Sequence, residues 1–157
     1  MFRKALVLVL LLAVAGCAVP SKNLKIYFFD KEGKIFSVSR ELPTIENPVL
    51  IAIDQLLKGP NDQETLNGFT TKIPAGTRSR KLEVEGKTAI IDFNSTLHEF
   101  NGSSAEAECM IAQIVYTATS VKGIKEVILK LQGSDQFTLG PENYVIDHPL
   151  QRGDVKI

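Results

Sequence analysis

Tryptophan is absent from this chain, and histidine and cysteine occur only twice each. His98 and His148 lie far apart with no local ligand spacing, so no metal site is expected. Without tryptophan, the flat side chains suited to gripping a glycan reduce to Tyr27, Tyr116 and Tyr144 beside the phenylalanines. Basic excess is also missing: 18 Lys and Arg balance 18 Asp and Glu, leaving no field to hold nucleic acid. No Gly-x-Ser-x-Gly elbow occurs. The glycines at Gly133 and Gly140 follow a strand pattern without opening a helix, which excludes a phosphate-cradling loop. No cofactor is expected. The one long uncharged apolar run, Ala5 to Ala15, falls short of the roughly 20 residues needed to span a bilayer.

That run has the length of a signal-peptide core, and Arg3 and Lys4 precede it as a positive flank. Val14-Ala15-Gly16-Cys17 resembles the bacterial lipobox, in which small residues admit a peptidase and the cysteine thiol carries the lipid. The expectation is a leader over residues 1–16, lipidation at Cys17 with a membrane anchor of several acyl chains, and a tether over 17–23. The mature protein would then sit on the extracytoplasmic side of a cell membrane. Removing Arg3 and Lys4 leaves sixteen basic against eighteen acidic side chains. With Cys17 occupied by lipid, Cys109 has no disulfide partner, so apolar burial must hold the domain together.

Periodicity orders the remainder. Leu24 to Phe29 and Ile35 to Arg40 read as strands joined by the turn Asp30-Lys31-Glu32-Gly33. Asn47 and Pro48 open a helix with Val49, Ala52, Ile53 and Leu56 on one face, closed by Gly59-Pro60. Asn61 to Thr71 reads as a loop. Leu82 to Glu85 and Thr88 to Phe93 are strands around Gly86, followed by a polar loop from Asn94 to Gly102. Ser103 and Glu106 form a capping box opening a second helix, whose apolar stripe is Ala107, Met110, Ile111, Ile114, Ala118 and Val121. Lys125 to Leu131 is the last clear strand, and Gly133 to Ile157 an irregular tail with a short strand near Tyr144 to Ile146. The order ββαββαβ predicts an α+β fold, a two-layer sandwich with both helices on one face of a mixed sheet.

Several segments resemble the GerMN domain, the sporulation and spore germination domain of bacterial envelope proteins. They are Ile26-Tyr27-Phe28, Leu56-Leu57-Lys58-Gly59-Pro60, Ile73-Pro74-Ala75-Gly76-Thr77, Ala89-Ile90-Ile91-Asp92-Phe93, Gln113-Ile114-Val115-Tyr116-Thr117, Gly123-Ile124-Lys125-Glu126-Val127 and Pro149-Leu150. Together they place a GerMN-like domain over residues 24–150, with 151–157 as a C-terminal tail. The resemblance implies a fold similar to ring-building-motif domains, a non-catalytic role in binding or assembly, and no attributed catalytic residues. It also implies that Asp92 orders the turn after its strand.

Asp92, Ser95 and His98 could be read as an acid, nucleophile and base of a hydrolase, but solvated loop residues are the simpler account. Glu106 and Glu108 would raise the pKa of the Cys109 thiol, which favours a structural cysteine. A partner surface is expected from alternation: Tyr27, Phe29, Ile90 and Ile128 point away from the helix-covered face. A second candidate is Cys109, Ala112 and Tyr116, opposite the helix's main stripe. Envelope protein or self-association is the expected partner class, with peptidoglycan as the alternative.

Overall fold

The computed structural model describes residues 21–43 and 47–155. The leader, Cys17 and the tether up to Pro20 lie outside the described residues. The rest of the expected tether, Ser21 to Asn23, is already strand.

Strands β1 (Ser21–Phe29) and β2 (Ile35–Pro43) pair antiparallel, with Leu24 opposite Arg40, Ile26 opposite Val38 and Phe28 opposite Phe36. The Asp30 carboxylate tightens their turn by accepting from the Glu32 and Lys34 amides at 2.8 and 2.9 Å. Helix α1 (Pro48–Leu57) starts where the Asn47 side chain accepts from the Val49 amide, and it buries Val49, Ala52, Ile53 and Leu56. The expected loop after it contains a short helix, α2 (Asp62–Leu66). A reciprocal capping box between Asn61 and Glu64 makes that turn, the same signature that opens the long helix but here without an apolar stripe.

Strands β3 (Ser79–Glu85) and β4 (Thr88–Phe93) pair antiparallel, and β4 pairs in parallel with β5 (Glu126–Leu131), giving a mixed three-stranded sheet. Helix α3 (Ser104–Ser120) makes the crossover between β4 and β5, opened by the Ser103–Glu106 box. The tail is more regular than expected: β6 (Phe137–Leu139) and β7 (Tyr144–Ile146) form a hairpin. Gly140 in that hairpin approaches the Gly102 carbonyl so closely that a β-carbon would sit 2.5 Å from it. Beside this contact, Glu142 accepts from the Ser104 amide at 2.7 Å, placing a carboxylate at the positive end of α3.

The α+β class, the mixed sheet and the two main helices are as expected. The fully buried Ala89, Ile91 and Phe93 of β4 and Val127 of β5 meet Met110, Ile111, Ile114 and Ala118 of α3 in one core. The first hairpin, however, is a sheet of its own. Its inner side chains Leu24, Ile26 and Phe28 join the same core, but the edge of β1 not paired with β2 meets helix α3 instead of a strand.

Candidate functional site

That seam is built from backbone need. A strand edge presents amides and carbonyls that must be paired once buried. Along β1 they are paired in turn by α3 side chains. Ser120 donates to the Lys25 carbonyl at 3.0 Å, the Tyr27 amide donates to Thr117 Oγ1 at 3.1 Å, and Gln113 Nε2 donates to the Tyr27 carbonyl at 3.1 Å. Phe29 completes the edge through a two-way bridge with Thr70, at 3.0 and 2.7 Å. Gln113 also uses its Oε1 to accept from the Lys72 amide at 2.9 Å, tying the loop before β3 to the seam. Gln113 and Thr117 are therefore fully buried polar residues with every side-chain group satisfied.

This arrangement divides the expected partner surface. Phe29 is buried, only 3 % exposed, because the Thr70 bridge folds a loop over it. Its assignment to an open face is corrected: the alternation along β1 ends at Phe28–Phe29, both of which are enclosed. Tyr27 is half-buried and belongs to the hairpin, a different sheet from Ile90 and Ile128. Its ring meets Tyr116 edge-on, with centroids 5.4 Å apart, and the Arg152 guanidinium lies over both rings at 5.4 and 4.6 Å. The tail thus covers Tyr27. Of the second candidate set, Ala112 is fully buried, while Cys109 and Tyr116 are partly exposed.

Ile90 and Ile128 do come together. They are directly paired across β4 and β5, both half-buried, on the sheet face away from the helices. A groove of about 220 Å³ beside Ile90 is lined by Lys81, Glu83, Asp92, Lys130 and Gly133. The face is an apolar pair within a mixed charged frame.

The acid–nucleophile–base reading is not assembled. Asp92 accepts from the Gly133 amide at 2.8 Å and pairs with Arg80 at 3.4 Å. It orders the turn after β5, the neighbouring strand, and not the turn after its own. Ser95 and His98 are exposed on a 3₁₀ turn, and no hydrogen bond joins them to Asp92 or to each other. His148 contacts the adjacent Asp147 on the surface. Among the described residues no cluster of His, Cys, Asp or Glu could hold a metal, and no helix is long and apolar enough to cross a membrane. Burial pushes the Cys109 thiol pKa up; Glu108 and Glu106 add to this, while Lys72 opposes it.

The model for the sporulation and spore germination family matches residues 25–136, most of the chain. The chain belongs to that family. It is 30 % identical over 132 residues to the spore germination protein GerM of Bacillus subtilis, covering 83 % of this chain but 35 % of that protein. It therefore spans about a third of this curated relative. Among solved structures, the tandem GerMN domains of B. subtilis GerM superpose with a TM-score of 0.69 at 21 % identity, over 86 % of this chain and 48 % of that one. The first GerMN domain alone gives 0.64 at 22 % identity, over 85 % of this chain and 99 % of that one. A Clostridium perfringens protein described as a candidate lipoprotein gives 0.62 at 20 % identity, over 92 % and 99 %.

In this GerMN domain the family-like segments fall on positions that hold the fold. Thr77 Oγ1 donates to the Pro74 carbonyl at 2.7 Å, closing the turn before β3. Leu150 exchanges two backbone hydrogen bonds with Val127, at 2.9 and 2.8 Å, and so covers the free edge of β5. Gln113 and Thr117 clamp β1. Arg40 was not singled out from sequence. It spans from β2 to Gln55 of α1 and to Glu64 of α2, with Glu64 in an ion pair. The signal for the seam was present as the spacing 113, 117, 120, which is one helical face. Its polar types concealed that this face is buried.

Proposed function

We propose that this chain is a lipid-anchored, non-catalytic binding or assembly domain of the bacterial cell envelope, linked to sporulation or cell-wall processes. The observation that carries the reading is the family match over residues 25–136. Two further points support it. Asp92 is used to order a turn, and Ser95 and His98 are left in solvent. The leader pattern ending at Cys17 supplies the anchor. A relative of this fold described as a candidate lipoprotein agrees with that anchor.

Within this reading, the outer sheet face around Ile90 and Ile128 is the surface that meets an envelope protein or a second copy of the chain. An apolar centre in a charged frame is the composition of an interface. The anchor is tested by detergent partitioning of cells expressing the wild type and Cys17→Ala. The wild type should enter the detergent phase as a processed, acylated species. The variant should remain unprocessed or mislocalised, and equal partitioning of processed forms would sink the reading. Sedimentation with purified peptidoglycan decides whether the wall itself is the ligand, and strong co-sedimentation would replace the protein-partner reading.

A further inference from the structure

Lys22, Lys25, Lys122, Lys125 and Arg152 come from three separate stretches of chain and gather on one rim of the molecule. We propose that this rim lies against anionic phospholipid headgroups. Two adjoining grooves define it. One, of about 520 Å³, is lined by Lys25, Lys125 and Arg152 beside Tyr27. The other, of about 250 Å³, is lined by Lys22, Lys25 and Lys122. Lys25 and Ser120 belong to both, so the charges form one continuous strip. Among the described residues neither lining contains a carboxylate. All five side chains are exposed, and none forms an ion pair with another described residue. Three acids on neighbouring segments line neither groove and accept from neutral donors: Glu126 from Thr88 and Gln151, Asp154 from the Gln151 amide, and Glu41 from Ser21.

The strip is a local departure from a balanced composition, since sixteen basic and eighteen acidic residues follow the leader. Arg152 is held in place: Nε donates to Thr119 at 2.8 Å and Nη2 to the Tyr116 carbonyl at 3.1 Å, over two tyrosine rings. The strip lies at the C-terminal end of α3, whose dipole is negative there. That disfavours tight capture of one small anion and suits diffuse attraction to a surface carrying many charges. The occupant follows from chain length, and this step rests on the lipid-anchor reading. Four residue steps lead from Cys17 to Ser21, a reach of at most about 14 Å. Acylation would hold Lys22 within about 18 Å of the headgroups, roughly two Debye lengths at physiological salt, and Lys25 within about 28 Å. Each basic side chain near such a surface strengthens association by about fivefold.

The test uses the mature chain from residue 17 with Cys17→Ser, which removes the acyl site and keeps every described residue. It is sedimented with large vesicles of phosphatidylglycerol and phosphatidylcholine, or of phosphatidylcholine alone, at low and high salt. Binding is expected only to the anionic vesicles and should vanish at high salt. Lys25→Gln/Lys122→Gln/Lys125→Gln should weaken it by about 100-fold, while Lys31→Gln/Lys34→Gln/Lys58→Gln, an equal charge change away from the rim, should not. Thermal melts identify any variant that fails to fold, and single Lys→Gln changes then replace the triple. Equal binding to neutral vesicles, a rim variant indistinguishable from the parent, or stronger retention on a poly(glycerol phosphate) polymer would each overturn the proposal. The anchor is read separately from the mass of Cys17 peptides from cells. Acylated Cys17 with charge-blind vesicle binding removes the rim and keeps the anchor; unmodified Cys17 with intact binding does the reverse.

Discussion

Gln113 illustrates what one residue can conceal. Its place beside Ile114 in sequence suggests an exposed polar face, yet it is as buried as Ile114 and bonds two backbone groups from separate segments. Replacing it with alanine opens a cavity and leaves the Lys72 amide and the Tyr27 carbonyl without partners. Gln113→Ala should cost about 2–4 kcal/mol, comparable with Ile114→Ala. Urea unfolding midpoints check this; a Gln113 variant within experimental error of wild type would mean that the seam is wet. Cys109 is the opposite case. It is partly exposed, and burial, with Glu108 and Glu106, pushes its thiol pKa up against the opposing charge of Lys72.

At the scale of elements, Arg40 joins β2, α1 and α2. Its guanidinium donates to the Gln55 side chain at 3.1 Å and to the Gly59 carbonyl at 3.0 Å, pairs with Glu64, and lies 5.5 Å from the Phe28 ring centroid. Burial alone would raise the Glu64 pKa, but the Arg40 hydrogen bond, the Asn61 amide and the Arg40 charge outweigh it and hold the carboxyl below its ordinary value. A depressed folded-state pKa means that the pair stabilises the domain fully above the unfolded value of 4.5. That contribution is lost as pH falls through the folded value. Glu64→Gln should therefore cost about 1.5–3 kcal/mol near neutral pH, and the gap from wild type should shrink below about pH 4.5. Paired denaturant melts across that range check the sign; a gap that widened on acidification would mean that Glu64 is protonated in the fold.

For the whole molecule, the outer sheet face and the tail-covered hairpin are separate surfaces with separate consequences. Ile128→Glu should weaken association with a partner at least tenfold while thermal unfolding stays near wild type, because its side chain is only partly buried, on the face opposite the core. Cross-linking with affinity capture, together with sedimentation velocity, reads both heterologous and self-association. An unfolded variant would mean that the face is internal. Tyr27 is a poorer probe of that face, since its ring packs on Tyr116 beneath Arg152.

Strands β1 to β5, the two main helices and their caps were legible in the sequence, because each depends on local periodicity or on a cap spacing within one turn. The α+β class followed from their order, and the family resemblance from particular segments such as Ile73-Pro74-Ala75-Gly76-Thr77 and their spacing. Tertiary structure decided the rest. Whether β1 extends the main sheet depends on what meets its free edge, and a helix carrying Gln113, Thr117 and Ser120 can satisfy that edge as a strand would. Alternation along β1 gives only two opposite directions; it does not reveal that Thr70 closes over Phe29 or that Arg152 returns from the tail to Tyr27. Such contacts join residues 41 to 125 positions apart, so no local pattern records them. They exist only once the chain has collapsed and its backbone groups must find partners.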